Sequence, residues 1–229
     1  MLTIRRGEER GRTVLPWLDS RHTFSFGEYR DEDHLGFRSL RVINEDRVGP
    51  GGGFPTHAHR DMEILTYVLE GALAHRDSLG HFAVARAGDM QRMTAGTGVT
   101  HSEFNHSQEK PVHFLQIWIL PEAKGLAPSH EHRTLPRHPG FVLAASRDGR
   151  EGALRLHQDA EIHVAGMEAG DAADFPLRSG RHAWLHVARG GLEVNGRILE
   201  AGDAVAATGE NRLRVRAATM ATLIIFDLP

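Results

Sequence analysis

His57 and His59 stand two residues apart in Gly51-Gly52-Gly53-Phe54-Pro55-Thr56-His57-Ala58-His59, ahead of the strand-like run Ile64-Leu65-Thr66-Tyr67-Val68-Leu69. Side chains on a strand alternate between faces, so both imidazoles project from one side with Cα atoms ~7 Å apart, within reach of a single ion. His101 and Glu103 repeat this spacing after the glycine-rich turn Ala95-Gly96-Thr97-Gly98-Val99-Thr100. Two neighbouring strands that each offer a pair supply three nitrogens and one carboxylate oxygen. That set suits Fe, Ni, Cu, Zn or Mn and leaves positions open on an octahedral ion, as a catalytic site requires. We therefore read His57, His59, His101 and Glu103 as one mononuclear metal site.

With 16 histidines in 229 residues, a His-x-His pair arises readily by chance. His130-x-His132 illustrates this, because Pro128 and Pro136 bracket it and it reads as a surface loop. The distinction of the first pair is its match on the later strand and its strand-rich setting. Most other histidines fill surface positions otherwise taken by lysine, of which the chain has only Lys110 and Lys124. His22 and His34 are expected at the surface, and His157 and His163 at the surface or in hydrogen bonds. Asp89 and Asp203 read as turn residues, Trp17 and Trp184 as core, and Phe104 as a wall of the pocket.

The chain contains no cysteine, which excludes disulfides, thiolate chemistry and sulfur-ligated metals. A net charge of −3 gives no basic footprint for nucleic acid. No apolar run approaches the ~20 residues that cross a bilayer, and the first ten residues are too charged for a signal peptide. A cytoplasmic protein is expected.

Short β-branched or aromatic runs, punctuated by Gly, Pro, Asn and Asp, predict an all-β fold of the sandwich or barrel type. The unit strand, Gly71 turn, strand, Ala87-Gly88-Asp89 recurs as strand, Gly190 turn, strand, Ala201-Gly202-Asp203. This predicts two related β domains, residues 1–133 and 134–229, joined near the stretch from Leu126 to Pro139. Counting back from Gly190 as His57 and His59 count back from Gly71 reaches Pro176 and Arg178. Counting forward from Gly202 reaches Val215 and Ala217. None of these can hold a metal, so the C-terminal domain is expected to lack one.

The spacing Gly51-x5-His57-x-His59-x3-Glu63, with Gly88 and the turn into His101, resembles the two motifs of the cupin superfamily. Trp17 to Phe26, Leu40 to Asp46, His57 to Gly71, Ala95 to Glu103 and Gln116 to Ile119 resemble the pirin family, specifically its bacterial quercetin 2,3-dioxygenase-like members. The strong matches cover roughly the first 120 residues. The resemblance implies a bicupin of two antiparallel, jelly-roll-like β-barrel domains, with His57, His59, His101 and Glu103 as ligands of one divalent metal, Fe(2+) foremost and Ni, Co, Cu, Mn or Zn as alternatives. Many cupins use the glutamate at the position of Glu63 as a ligand. Glu63 shares the parity of His57 and His59, and we rank it behind Glu103, as a residue that orients a ligand imidazole.

The activity implied is dioxygenolytic opening of the central ring of a flavonol such as quercetin, with O2 as co-substrate and carbon monoxide released. Glu103 would accept the 3-hydroxyl proton. The competing implication is a non-catalytic, metal-binding regulator that docks on protein partners. A metal-free cupin that binds a sugar or another small molecule is a third reading, against which the intact ligand set argues.

Overall fold

The computed structural model describes residues 1–136 and 140–229. The last part of the expected connection, residues 137–139, lies outside the described residues. Among the described residues regular structure is strand, apart from one-turn 3₁₀ helices at Gly7–Glu9 and Arg150–Gly152. The all-β expectation holds. No helix of the described residues is long and apolar enough to cross a membrane.

Two compact units divide the chain: one holds residues 11–135 and 154–158, the other residues 1–10, 136–153 and 159–229. They are not two contiguous halves. The opening strand Leu2–Arg5 belongs with the second unit because it pairs antiparallel with Ala204–Thr208.

In the first unit a four-stranded sheet runs in the order Gly53–His59, Val99–Asn105, Ala72–Asp77, Phe82–Arg86. A seven-stranded sheet runs Ser129–Thr134, Asp89–Thr94, Glu63–Glu70, Val112–Ile119, Leu40–Val48, Leu18–His22, Gly11–Leu15. Leu73 and Ala85 of the smaller sheet join Leu18, Val48, Val68, Val112 and Phe114 of the larger one in a single buried cluster. Apolar area removed from water there, at about 25 cal/mol per Å², holds the sheets face to face. Sequence pattern and burial agree on Val99–Asn105, where Val99, His101, Glu103 and Asn105 are buried and Thr100 and Phe104 are exposed.

His130 and His132 do not lie on a loop. Ser129–Thr134 is an edge strand paired with Asp89–Thr94, so the prolines bracket the strand rather than prevent it. Its anchor is Arg92, almost wholly buried, which donates to Thr94 Oγ1, to Ser129 Oγ and to the Glu131 carboxylate.

The second unit repeats the strand order of the first in its small sheet and in six strands of its larger one. Its small sheet runs Ala172–Pro176, Arg212–Ala217, Gly191–Val194, Arg197–Glu200, and its larger sheet contains Leu2–Arg5, Ala204–Thr208, His182–Arg189, Ala221–Leu228, Glu161–Met167 and Val142–Ser146 in that order. Gly71 and Gly190 mark the repeat most sharply. Both have φ in the left-handed region, +78° and +74°, and a Cβ on either would strike the backbone before the next central strand, at Pro111 and Met220.

Candidate metal centre

Register brings the ligand candidates together. His101 lies directly opposite His57 and Val99 opposite His59 across one edge of the Val99–Asn105 strand, with a register shift between His101 and Glu103. Across the other edge His101 opposes Asp77 and Glu103 opposes His75. The nitrogens of His57, His59 and His101 gather within 4.8 Å of one another, with His101 Nε2 3.1 Å from His57 Nε2. Two nitrogens each ~2.1 Å from one ion at a right angle are ~3.0 Å apart, so this spacing is that of adjacent ligands. His57 Nδ1 donates to the Pro55 carbonyl at 2.8 Å, which leaves Nε2 bare and pointed at the group.

Glu103 approaches from one side. Its carboxylate forms a second close group with His101 and His75, and it lines the same cavity as His57 and His59. Gln116 Nε2 donates to Oε2 at 2.7 Å, while Gln91 Nε2 and Thr66 Oγ1 donate to Oε1 at 3.1 and 3.2 Å. These contacts hold a buried anion without a cationic partner among them, a charge that suits a metal beside it.

Burial also makes the imidazoles ready ligands. His59 is pushed down to about 4 and His101 to about 3, in each case first by burial and then by the neighbouring histidines. His130 is held at about 3 for the same first reason. An unfolded chain protonates these groups once the pH falls below 6.5, while the folded chain resists until near their lowered values. The three histidines, against the opposite contribution of the one raised carboxyl of Asp46, should therefore make the metal-free protein lose stability as the pH drops below 6.5. Urea midpoints measured at about pH 7, 6 and 5 should decrease in that order, and equal midpoints would contradict this picture.

The cavity measures about 310 Å³. Phe26, Phe54 and Trp118 form apolar walls, Ser20, His22, Asn44 and Asp46 a polar one, and His57, His59, Glu103 and Gln116 the metal end. Burial raises the Asp46 carboxyl to about 7, against the Ser20 hydrogen bond that lowers it. Trp118 packs edge-on against His59 with ring centroids 5.0 Å apart.

Some expectations for single residues need correction and others hold. Glu63 is fully buried but does not bond a ligand imidazole. Asp61 has φ +49°, which resets the alternation after His59 and sends Glu63 into the other sheet. There its neighbours are Thr94 and His157, with His157 Nδ1 3.4 Å away. Phe104 faces away from the cavity and is exposed, because it alternates with Glu103. His22 is buried, bonded to Asn44 and Thr13 at 2.9 Å each, and lines the cavity. His34 is half-buried and bonded to Asp31, and His163 is bonded to Glu161. Asp89 and Asp203 accept backbone N–H groups in their turns, and Trp184 is core. Sequence reasoning passed over His75, Asp77, Phe26 and Trp118. The parity of His75 and Asp77 on one strand was the available signal.

Among the described residues the second unit has no counterpart group. Pairing places Phe175 and Leu177 where the first unit has His57 and His59, and Leu213 and Val215 where it has His101 and Glu103. Simple counting from the glycines had reached neighbours one or two residues away, because the hairpins differ in length. All four side chains sit in that unit's apolar core.

Comparison with known proteins bears on this geometry. The family described as Pirin matches residues 4–119, and the one described as Quercetinase C-terminal cupin domain matches residues 143–228. A quercetin 2,3-dioxygenase of Escherichia coli (strain K12) is 41% identical over 229 residues, which is 100% of this chain and 99% of that protein. A putative quercetin 2,3-dioxygenase of Pseudomonas aeruginosa is 40% identical over 232 residues, covering 100% of each chain. The crystal structure of the bacterial pirin YhhW from Escherichia coli in complex with nickel(II) superposes with a TM-score of 0.96 at 41% identity, covering 100% of this chain and 99% of that one.

Proposed function

The chain belongs to the pirin family, and on that premise we propose that it is a metal-dependent dioxygenase that opens the central ring of flavonols such as quercetin with O2 and releases carbon monoxide. The observation that carries this reading is the convergence of three imidazoles and one buried carboxylate at the end of an aromatic-walled cavity. His57, His59, His101 and Glu103 would hold one divalent metal, with iron(II) and nickel(II) the first to test. When bound, that ion supplies Lewis acidity and an anchor for the anionic 3-oxygen of the substrate.

The chain's own groups do the rest. Glu103, kept in place by Gln116, Gln91 and Thr66, accepts the 3-hydroxyl proton. Phe26, Phe54 and Trp118 hold the flat ring system and exclude water, which strengthens the electrostatics around the anion. Ser20, Asn44 and Asp46 face the cavity as partners for further hydroxyls. We assign the chemistry to the N-terminal domain, residues 1–133 by sequence, and leave the C-terminal domain, residues 134–229, without metal.

The test is flavonol absorbance with metal-loaded protein, with and without air. Loss of the flavonol band only in air, with carbon monoxide in the headspace, is expected. Bound metal with an unchanged flavonol spectrum in air would overturn the reading and favour a regulator that works through protein partners.

A further inference from the structure

We propose that Asp77 and His75 are a positioning pair for His101, fixing from behind which of its ring nitrogens is free to bind metal. The inference rests on the metal reading above and adds two residues to it. His101 turns Nε2 toward His57, and its other nitrogen, Nδ1, lies 3.4 Å from His75 Nδ1. His75 Nε2 in turn lies 3.1 Å from Asp77 Oδ2. A carboxylate only accepts, so His75 carries its proton on Nε2 and presents a bare Nδ1. That bare nitrogen accepts the proton on His101 Nδ1, which leaves His101 Nε2 unprotonated on the metal side. The chain of donors has one consistent direction, from His101 through His75 to Asp77.

Asp77 is built to hold that role. Its side chain is wholly buried, and Oδ1 accepts from the backbone N–H groups of Leu79 and His81 at 2.9 and 3.1 Å. His81 Nδ1 reaches Oδ2 at 3.0 Å. The ring of His130 stacks on His75 with centroids 4.5 Å apart, which fixes its plane. His75, His101 and Glu103 could themselves be taken for a second metal site. The hydrogen bonds of His75 argue otherwise, since its Nε2 proton has its acceptor in Asp77 and its Nδ1 faces His101 Nδ1.

Asp77→Asn is the informative variant. The two backbone donors keep the amide oxygen at the Oδ1 position, so the amide NH2 faces His75 Nε2. His75 must then carry its proton on Nδ1, against the proton of His101, and His101 is driven to the tautomer protonated on Nε2. Nickel(II) affinity, read by competition with a chelator, should weaken by ~10–100-fold, and the visible spectrum of the cobalt(II)-loaded protein should shift. Adding His75→Gln to Asp77→Asn offers His101 a carbonyl acceptor independent of Asp77 and should restore most of the affinity. Asp89→Asn removes another buried aspartate of the same unit, paired with His132 at 3.1 Å, and should leave nickel affinity unchanged.

If Asp77→Asn does not fold, His75→Leu against His75→Gln reads the same acceptor, with affinity lost only in the first. Wild-type affinity in Asp77→Asn, no rescue by His75→Gln, or two nickel ions per chain would each overturn the proposal. Failure of the wild-type protein to bind nickel at all would instead strike the metal reading on which it rests.

Discussion

Replacing His101 by alanine is expected to lower nickel(II) or iron(II) affinity by more than about 100-fold and to bring flavonol consumption to background. His101 is central to the cluster, facing His57 with one nitrogen and His75 with the other. It is also the ligand candidate shared by both close groups of donor atoms. Its loss leaves His57 and His59 two residues apart on one strand, with Glu103 but no imidazole from the next strand. Metal content after gel filtration and the rate of flavonol loss check this together. His132→Ala, whose imidazole pairs with Asp89 outside the cluster, should keep both. Metal retained at full stoichiometry by His101→Ala would remove the histidine cluster from the account.

The second large effect concerns Glu103. Glu103→Gln keeps the shape but removes the proton acceptor, so turnover should fall by ~10²–10⁴-fold. Metal binding should weaken less, because the three imidazoles remain. The substitution also brings an amide NH2 to a site where Gln116, Gln91 and Thr66 all donate, so at least one must turn to accept. A modest loss of thermal stability should accompany the loss of turnover. The informative comparison is metal content against rate. Full turnover in a folded, metal-loaded Glu103→Gln would exclude Glu103 as the base.

Much of this site is legible in the sequence because period two is a hard constraint on a strand. The alternation through Val99–Asn105 puts His101 and Glu103 on one face, and the structure keeps that face buried. The cross-strand opposition of His57 and His101 is a matter of register, which spacing alone does not supply. Glu63 shows where parity fails: one left-handed residue, Asp61, separates it from the strand whose rhythm it seemed to share. Ser129–Thr134 reads as loop because prolines flank it, yet edge pairing with Asp89–Thr94 decides its state. In the second unit the glycine turns were visible, while the residue-by-residue equivalence depended on hairpin lengths that only pairing resolves. The polar wall depends on strands far apart in sequence, whereas Asp77 shares a face with His75 on one strand and only pairing ties that face to His101.

The most direct test is titration of the metal-free protein with nickel(II) or iron(II) while flavonol turnover in air is followed. Turnover should start from background, rise linearly with added metal and saturate at one ion per chain, and His101→Ala should show no such rise. Turnover that is unchanged by removal of metal, or that never appears at full loading, would contradict the account.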